Sequence, residues 1–471
     1  MEMGHRHPVG FHRREFLQVG FSGLLGLGLP QVLASHARAA GSPGGLPRTM
    51  LAPRAKSVIV VFFTGGMSHH ETIDMKPDAP EMIRGDFRPI ETAAPGLHFC
   101  EHLPLLAARA NKLAVVRSFS HGNLNHLNST HLVLTGQPQP GAFFDKIATR
   151  DDYPCYSGAL DFVRPRADGI PSGVSLPTYL MEGPLTWPGQ HAGFLGPSHD
   201  PWQVRQDPNQ PKFGFEGLTL PEGLSVERLG RRRSLLDSLL PRLEKNAKSS
   251  AASENPYDSQ VERAMTLLLS GKVARAFDLG AEDPLVRDRY GRHMFGQSLL
   301  LARRLVEAEV PVVQVNMGRV QTWDHHQNIF SALKDRLLPP TDRGLAALID
   351  DLSARGLLDQ TLVVMIGEFG RTPKLGVLQG SKTQNVGRDH WGAVFSGMFA
   401  GAGVQGGQII GQSDKIGGYP ASRPYSPADL AATIYRSLGV DPSVELRDRL
   451  NRPIRLSVGE EISPLYTASV G

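Results

Sequence analysis

Three short, β-rich apolar runs each end in a cluster of acids and histidines. Residues 58–63 (VIVVFF) lead into Gly65, Gly66, His69, His70, Glu71 and Asp74. Residues 312–317 (VVQVNM) lead into Trp323, Asp324, His325 and His326. Residues 362–366 (LVVMI) lead into Glu368 and Arg371, and Arg388, Asp389 and His390 follow. Runs of this length and composition read as buried strands. Helical periodicity at residues 290–308, 342–355 and 427–438 alternates with them. That alternation predicts an α/β fold, a mostly parallel sheet flanked by helices. Ligands in such a sheet gather beyond the carboxyl ends of the strands, which is where these polar residues fall.

The chain is 471 residues, enough for one large domain or two ordinary ones. Its first forty residues read as a leader. Arg13 and Arg14 begin a twin-arginine signature, residues 19–29 are apolar, and Ala37-Arg38-Ala39 fits a cleavage signal. The apolar stretch is short of the ~20 residues a membrane span needs. A twin-arginine signal peptide over 1–40 and a periplasmic or extracellular destination are therefore expected, with no transmembrane helix in the mature chain. Without the leader, 46 basic and 44 acidic side chains remain, a net charge of +2. That balance, with no basic stripe, argues against nucleic acid. Residues 41–56 read as a linker and 57–471 as a single domain. Within it, 137–215 look like an irregular, loop-rich insertion and 222–310 a helical part containing patterns at 224–246 and 260–277. Shorter patterns predict a helix at 101–110, a strand at 112–116 and a helix at 126–134. Cys100 and Cys155 allow one disulfide or two buried thiols.

Asp324 and His326 stand at i and i+2. In an extended segment they point the same way, and oxygen-plus-nitrogen ligation suits zinc or manganese. An isolated Asp-His-His is more often a solvated loop, but its place after a buried strand favours a ligand pair. Glu368 lies between two glycines that permit close approach to a ligand. Arg371 offers a forked donor for an oxyanion, or else an ion pair to Glu368. His390 is the preferred ligand of its pair, with Asp389 beside it as a partner or further ligand. Asp74 is the metal candidate of the first cluster. The N–H groups of Gly65 and Gly66 suit an anion. His126 lies on a helical pattern where a lone histidine is more often structural.

Several blocks together resemble domain-of-unknown-function family 1501, which is related to the alkaline phosphatase/sulfatase superfamily. They include the Arg-Arg-Glu-Phe-Leu leader, Gly65-Gly-Met-Ser-His, Asp74-Met-Lys-Pro-Asp, Trp323-Asp-His-His, Gly367-Glu-Phe-Gly-Arg-Thr-Pro and Gly387-Arg-Asp-His-Trp. The match runs over nearly the whole chain. The resemblance implies an alkaline phosphatase-like fold and an exported metal-dependent hydrolase of sulfate or phosphate esters. The alternative is a non-catalytic binding or assembly protein on the same fold. It implies a divalent metal, zinc first, with manganese or calcium after it. The expected substrate is an anionic small molecule or a polysaccharide. Sulfatases carry their nucleophile at the head of a helix closing in Leu-Thr-Gly. Leu134-Thr135-Gly136 matches that close, and the nucleophile position falls on His126. The resemblance thus implies Asp324, His326, Glu368 and His390 around one or two ions, with Asp74 and Asp389 as further candidates. His126 becomes a ligand or general base, and Arg371 or Arg388 the anion-binding residue.

Overall fold

In the computed structural model the described residues are 50–141, 144, 146–214, 271–376 and 386–467. A few positions between 227 and 235 and the pairs 21–22 and 27–28 complete them. Residues 1–49 and 50–471 form two compact units. In the first, Phe21–Ser22 pairs antiparallel with Leu27–Gly28. The expected leader otherwise lies outside the described residues, as does most of the helical pattern at 224–246.

The second unit is built on an eight-stranded sheet. Its strands in chain order are β1 (Ser57–Phe63), β2 (Ala114–Phe119), β3 (Gly173–Leu176), β4 (Trp202–Gln203), β5 (Val312–Asn316), β6 (Thr361–Gly367), β7 (Phe395–Ala400) and β8 (Ile409–Ile410). They lie in the order β4-β3-β5-β1-β6-β7-β2-β8. Only β7 runs antiparallel to its neighbours; the other pairings are parallel. The sheet is therefore mostly parallel, as the alternating pattern predicts.

Every residue of β1 and β6 is buried, so these central strands read as unbroken apolar runs. Alternate residues of β1 face opposite layers. Ile59, Val61 and Phe63 join the core under α3 (Met294–Glu307) and α4 (Leu338–Ala354). Val58, Val60 and Phe62 join the core under α1 (His126–Thr135), α2 (Tyr156–Val163) and α5 (Pro427–Ser437). Helices thus cover both faces. Cys100 and Cys155 are buried free thiols. Among the described residues no helix is long and apolar enough to cross a membrane.

Several elements differ from the sequence expectation. Residues 137–215 are not only an irregular covering, because they supply α2 and the two parallel edge strands β3 and β4. Those strands are four and two residues long, too short to register as periodic runs. The helix expected at 290–308 is α3, which starts only at Met294 because Gly291, at φ +95°, ends the preceding helix Pro284–Tyr290. The expected helix at 101–110 is a single turn, Pro104–Ala107. The helix expected from residue 342 is already running at Leu338 and continues directly from a π-helical turn, Leu333–Leu337, which precedes Pro339 and Pro340. Strand β7 (FSGMFA) escapes the pattern because serine and glycine interrupt its apolar run.

Candidate metal centre

Strands β5, β1 and β6 are adjacent and parallel, with Asn316 opposite Phe62 and Gly367 opposite Phe63. Their carboxyl ends therefore open side by side. The loop after β5 carries Asp324, the turn after β1 carries Gly65 and Gly66, and the residue after β6 is Glu368. A two-residue antiparallel ladder, Gly370–Arg371 with His390–Trp391, brings His390 to the same place. Helix α1 adds His126 from its first position, with Asn125 accepting from the Asn128 N–H as its cap.

Asp324 is the hub. Its Oδ2 lies 3.1 Å from His126 Nε2, and its Oδ1 lies 3.1 Å from both His390 Nε2 and His326 Nε2. Arg371 Nη1 reaches Oδ1 at 2.5 Å. His126 Nδ1 lies 2.8 Å from Glu368 Oε1, so one imidazole bridges two carboxylates. His126, Asp324 and His390 offer ligand atoms within 4.8 Å of one another. His326 joins from the solvent side, 3.2 Å from His390 Nε2, with its Nδ1 2.6 Å from Asp389 Oδ1. Four donors about 2 Å from a tetrahedral zinc lie roughly 3.3 Å apart, close to these separations, and two or three imidazoles with one carboxylate are zinc-class donors. The residues present fit such an ion.

Burial opposes the ionised form of Asp324. Hydrogen bonds from His126, His326 and His390, with the Arg371 charge, nevertheless hold its carboxyl far below the usual range. Burial also opposes protonation of His126, but Asp324 and Glu368 raise its pKa to about 9. His326 is raised by its bond to Asp324 against burial, with help from Asp389.

Glu368 is fully buried and accepts from the Gly65 N–H at 2.8 Å and the Gly66 N–H at 3.1 Å. The glycine turn does face an anion, and that anion is Glu368. Gly65 and Gly66 have φ of +103° and +77°. A Cβ at Gly65 would stand 2.8 Å from the Asp324 backbone nitrogen, so the turn needs glycine for both conformation and space. Arg371, also fully buried, donates to the carbonyls of Gly65, Gly66 and Arg388 as well as to Asp324. Its guanidinium holds the site together from within rather than facing solvent. Arg388 forms a buried pair with Glu71 at 2.6 Å and donates to the carbonyls of Ile83, Thr372 and Pro373. That engagement differs from the substrate-anion contact expected of Arg388. Asp74 lies with Lys76, Arg117 and Ser413, apart from the Asp324 cluster.

Three neighbours were not legible in the sequence. Phe369 stacks against His390 at 4.7 Å and lies 5.0 Å from His126. Trp187 packs 5.7 Å from the His126 ring out of the 137–215 segment. The Leu124 carbonyl lies 2.8 Å from His390 Nδ1. A carbonyl leaves no sequence signal, and Trp187 sits in a stretch without periodicity.

No curated protein matches the chain. Solved structures resemble it loosely. A mutant form of the alkaline phosphatase PafA shares 10% identity over 88% of this chain and 99% of that one, with a TM-score of 0.41. The PsFucS1 sulfatase from Pseudoalteromonas sp. shares 12% over 82% and 68%, with a TM-score of 0.34. The alkaline phosphatase from the Antarctic bacterium TAB5 shares 12% over 77% and 95%, with a TM-score of 0.32. The model of a family described as a protein of unknown function, DUF1501, matches residues 55–465, and the chain belongs to that family.

Proposed function

We propose that this protein is an exported, metal-dependent hydrolase of phosphate or sulfate esters. The observation that carries the reading is Asp324 ringed by His126, His326 and His390 at the joined carboxyl ends of three strands. His126, Asp324 and His390 would hold the ion, with His326 next to them. A zinc-class ion there would lower the pKa of a bound water toward 7 and polarise the ester oxygen. Glu368 fixes the His126 ring through Nδ1, which leaves Nε2 facing Asp324. Arg371 fixes Asp324 against the Gly65–Gly66 carbonyls. Phe369 and Trp187 close the inner side against water, while His326 and Asp389 stand toward solvent.

Metal analysis of purified protein, joined to turnover of 4-nitrophenyl phosphate and sulfate, tests the reading. One divalent ion per chain is expected, with Asp324→Ala and His390→Ala losing both metal and turnover. Protein that takes up no zinc, manganese or calcium would sink it. The non-catalytic alternative is favoured by Arg371, whose donors go to the chain itself, and it fails if those two variants abolish turnover while staying folded. Export rests on the leader alone, and Arg13→Lys with Arg14→Lys should retain the protein in the cytoplasm.

A further inference from the structure

The short segment between β2 and α1 meets the candidate centre at three points. His126, the first residue of α1, has its Nδ1 2.8 Å from Glu368 Oε1. The Leu124 carbonyl lies 2.8 Å from His390 Nδ1. His121 Nε2 lies 2.7 Å from the carbonyl oxygen of Glu368, one residue past Gly367, the last ladder residue of β6. Two imidazoles five residues apart thus grip opposite ends of one residue. His126 takes the carboxylate of Glu368 and His121 takes its main chain.

The partners of His121 fix its tautomer. A carbonyl oxygen only accepts, so Nε2 carries the proton. Nδ1 accepts from the Asn123 N–H at 3.1 Å, so it carries none. Burial lowers the pKa of this ring, which agrees with the neutral form. The ring is therefore a strut between its own segment and Glu368. The same segment sits tightly on the ladder that delivers His390. The His121 N–H donates to the Gly392 carbonyl at 2.9 Å, and a Cβ at Gly392 would stand 2.5 Å from the Asn123 carbonyl oxygen.

On the metal-centre reading, we propose that His121 is a positioning residue for the ion. Its bond to the Glu368 main chain sets the spacing between the end of β6 and the segment 121–126. That spacing decides where the His126 and His390 rings stand. His121 acts through Glu368 and the Leu124 carbonyl, not as a ligand.

Two substitutions divide the ring's two bonds between them. Glutamine reaches as far as Nε2 and can donate to the Glu368 carbonyl, while asparagine stops at the Nδ1 position and can only accept from the Asn123 N–H. Zinc affinity of the full-length protein is measured by competition with a chromogenic chelator. The visible spectrum of cobalt-loaded protein reports the ligand geometry. His121→Asn should bind zinc roughly tenfold more weakly than wild type and shift the cobalt bands, whereas His121→Gln should stay within about threefold and keep them. If His121→Asn binds zinc as tightly as His121→Gln, or more tightly, the ring only shapes its own segment. That result overturns the inference and leaves the metal-centre reading standing. Wild-type protein that takes up neither zinc nor cobalt overturns that reading and the inference with it.

Discussion

Replacing Glu368 by glutamine changes one oxygen to nitrogen at the most constrained point of the site. The carboxylate accepts three hydrogen bonds, from the N–H groups of Gly65 and Gly66 and from His126 Nδ1. Glutamine has one acceptor. If its oxygen takes the Oε1 position, its amide group points at the Gly66 N–H, and a buried donor loses its partner. An orphaned buried donor costs about 1–3 kcal/mol, and the remaining bonds lose their charge assistance. A loss of about 3 kcal/mol is therefore expected in metal-free protein. Urea unfolding at pH 7, compared with the exposed control Glu445→Gln, measures it. Zinc affinity should fall as well, by about 10–100-fold, because His126 loses its orienting partner. A pH readout separates this from general loosening. The His126 pKa is raised to about 9 by its carboxylate partners against burial. In metal-free protein this adds roughly 3 kcal/mol of stability, complete below pH 6.5 and lost as the pH rises through about 9. Glu368→Gln should remove much of that alkaline loss. An unfolding free energy within about 0.5 kcal/mol of wild type, with unchanged zinc affinity, would refute the argument.

Other perturbations follow from the same geometry. Burial lowers the pKa values of His69 and His70 and takes His131 down to about 4. The unfolded chain then binds more protons, so stability should fall as the pH drops from 6.5 toward 4. His131 alone accounts for roughly 3 kcal/mol, and His131→Gln should flatten the urea midpoint against pH. Gly65→Ala would drive a Cβ to 2.8 Å from the Asp324 nitrogen and the Gln321 Cα at φ +103°. A loss of about 2–4 kcal/mol and weakened zinc uptake are expected, and wild-type zinc affinity would count against the turn's role. Arg303, 1% exposed, is held by Glu282, Glu307 and Asp351. Arg303→Met removes one of several counter-charges, since Arg304 still pairs with Glu282 and Arg355 with Glu307 and Asp351, so unfolding should become easier by about 1–3 kcal/mol, read from the urea midpoint.

The sheet was largely legible because β1 and β6 are buried on both faces and nearly all apolar, and β5 departs from that only at Gln314 and Asn316. The edge was not, since β3 and β4 are short and their pairing is decided by contacts far away in sequence. Asp324, His326 and His390 follow strands or a strand-like ladder, so their convergence could be read from position. The partners of Glu368 could not. A carboxylate held by two glycine amides and an imidazole looks the same in sequence as one held by a metal. Arg371 and Arg388 illustrate the same limit. One or other was expected to face a substrate anion, with an ion pair as the alternative for Arg371, but each supplies donors to carbonyls and carboxylates of the chain itself.

The small ladder that delivers His390 has a consequence for chain length. Gly370–Arg371 pairs with His390–Trp391, and behind it Gly376 and Gly387 exchange two backbone hydrogen bonds of 3.0 and 2.9 Å. The chain therefore leaves at Gly376 and returns at Gly387 side by side, and His390 is held on the near side of that pair. For a flexible loop, closure entropy grows only with the logarithm of length, so a doubling would cost about 0.6 kcal/mol. Insertions between Gly376 and Gly387 should leave the centre where it is.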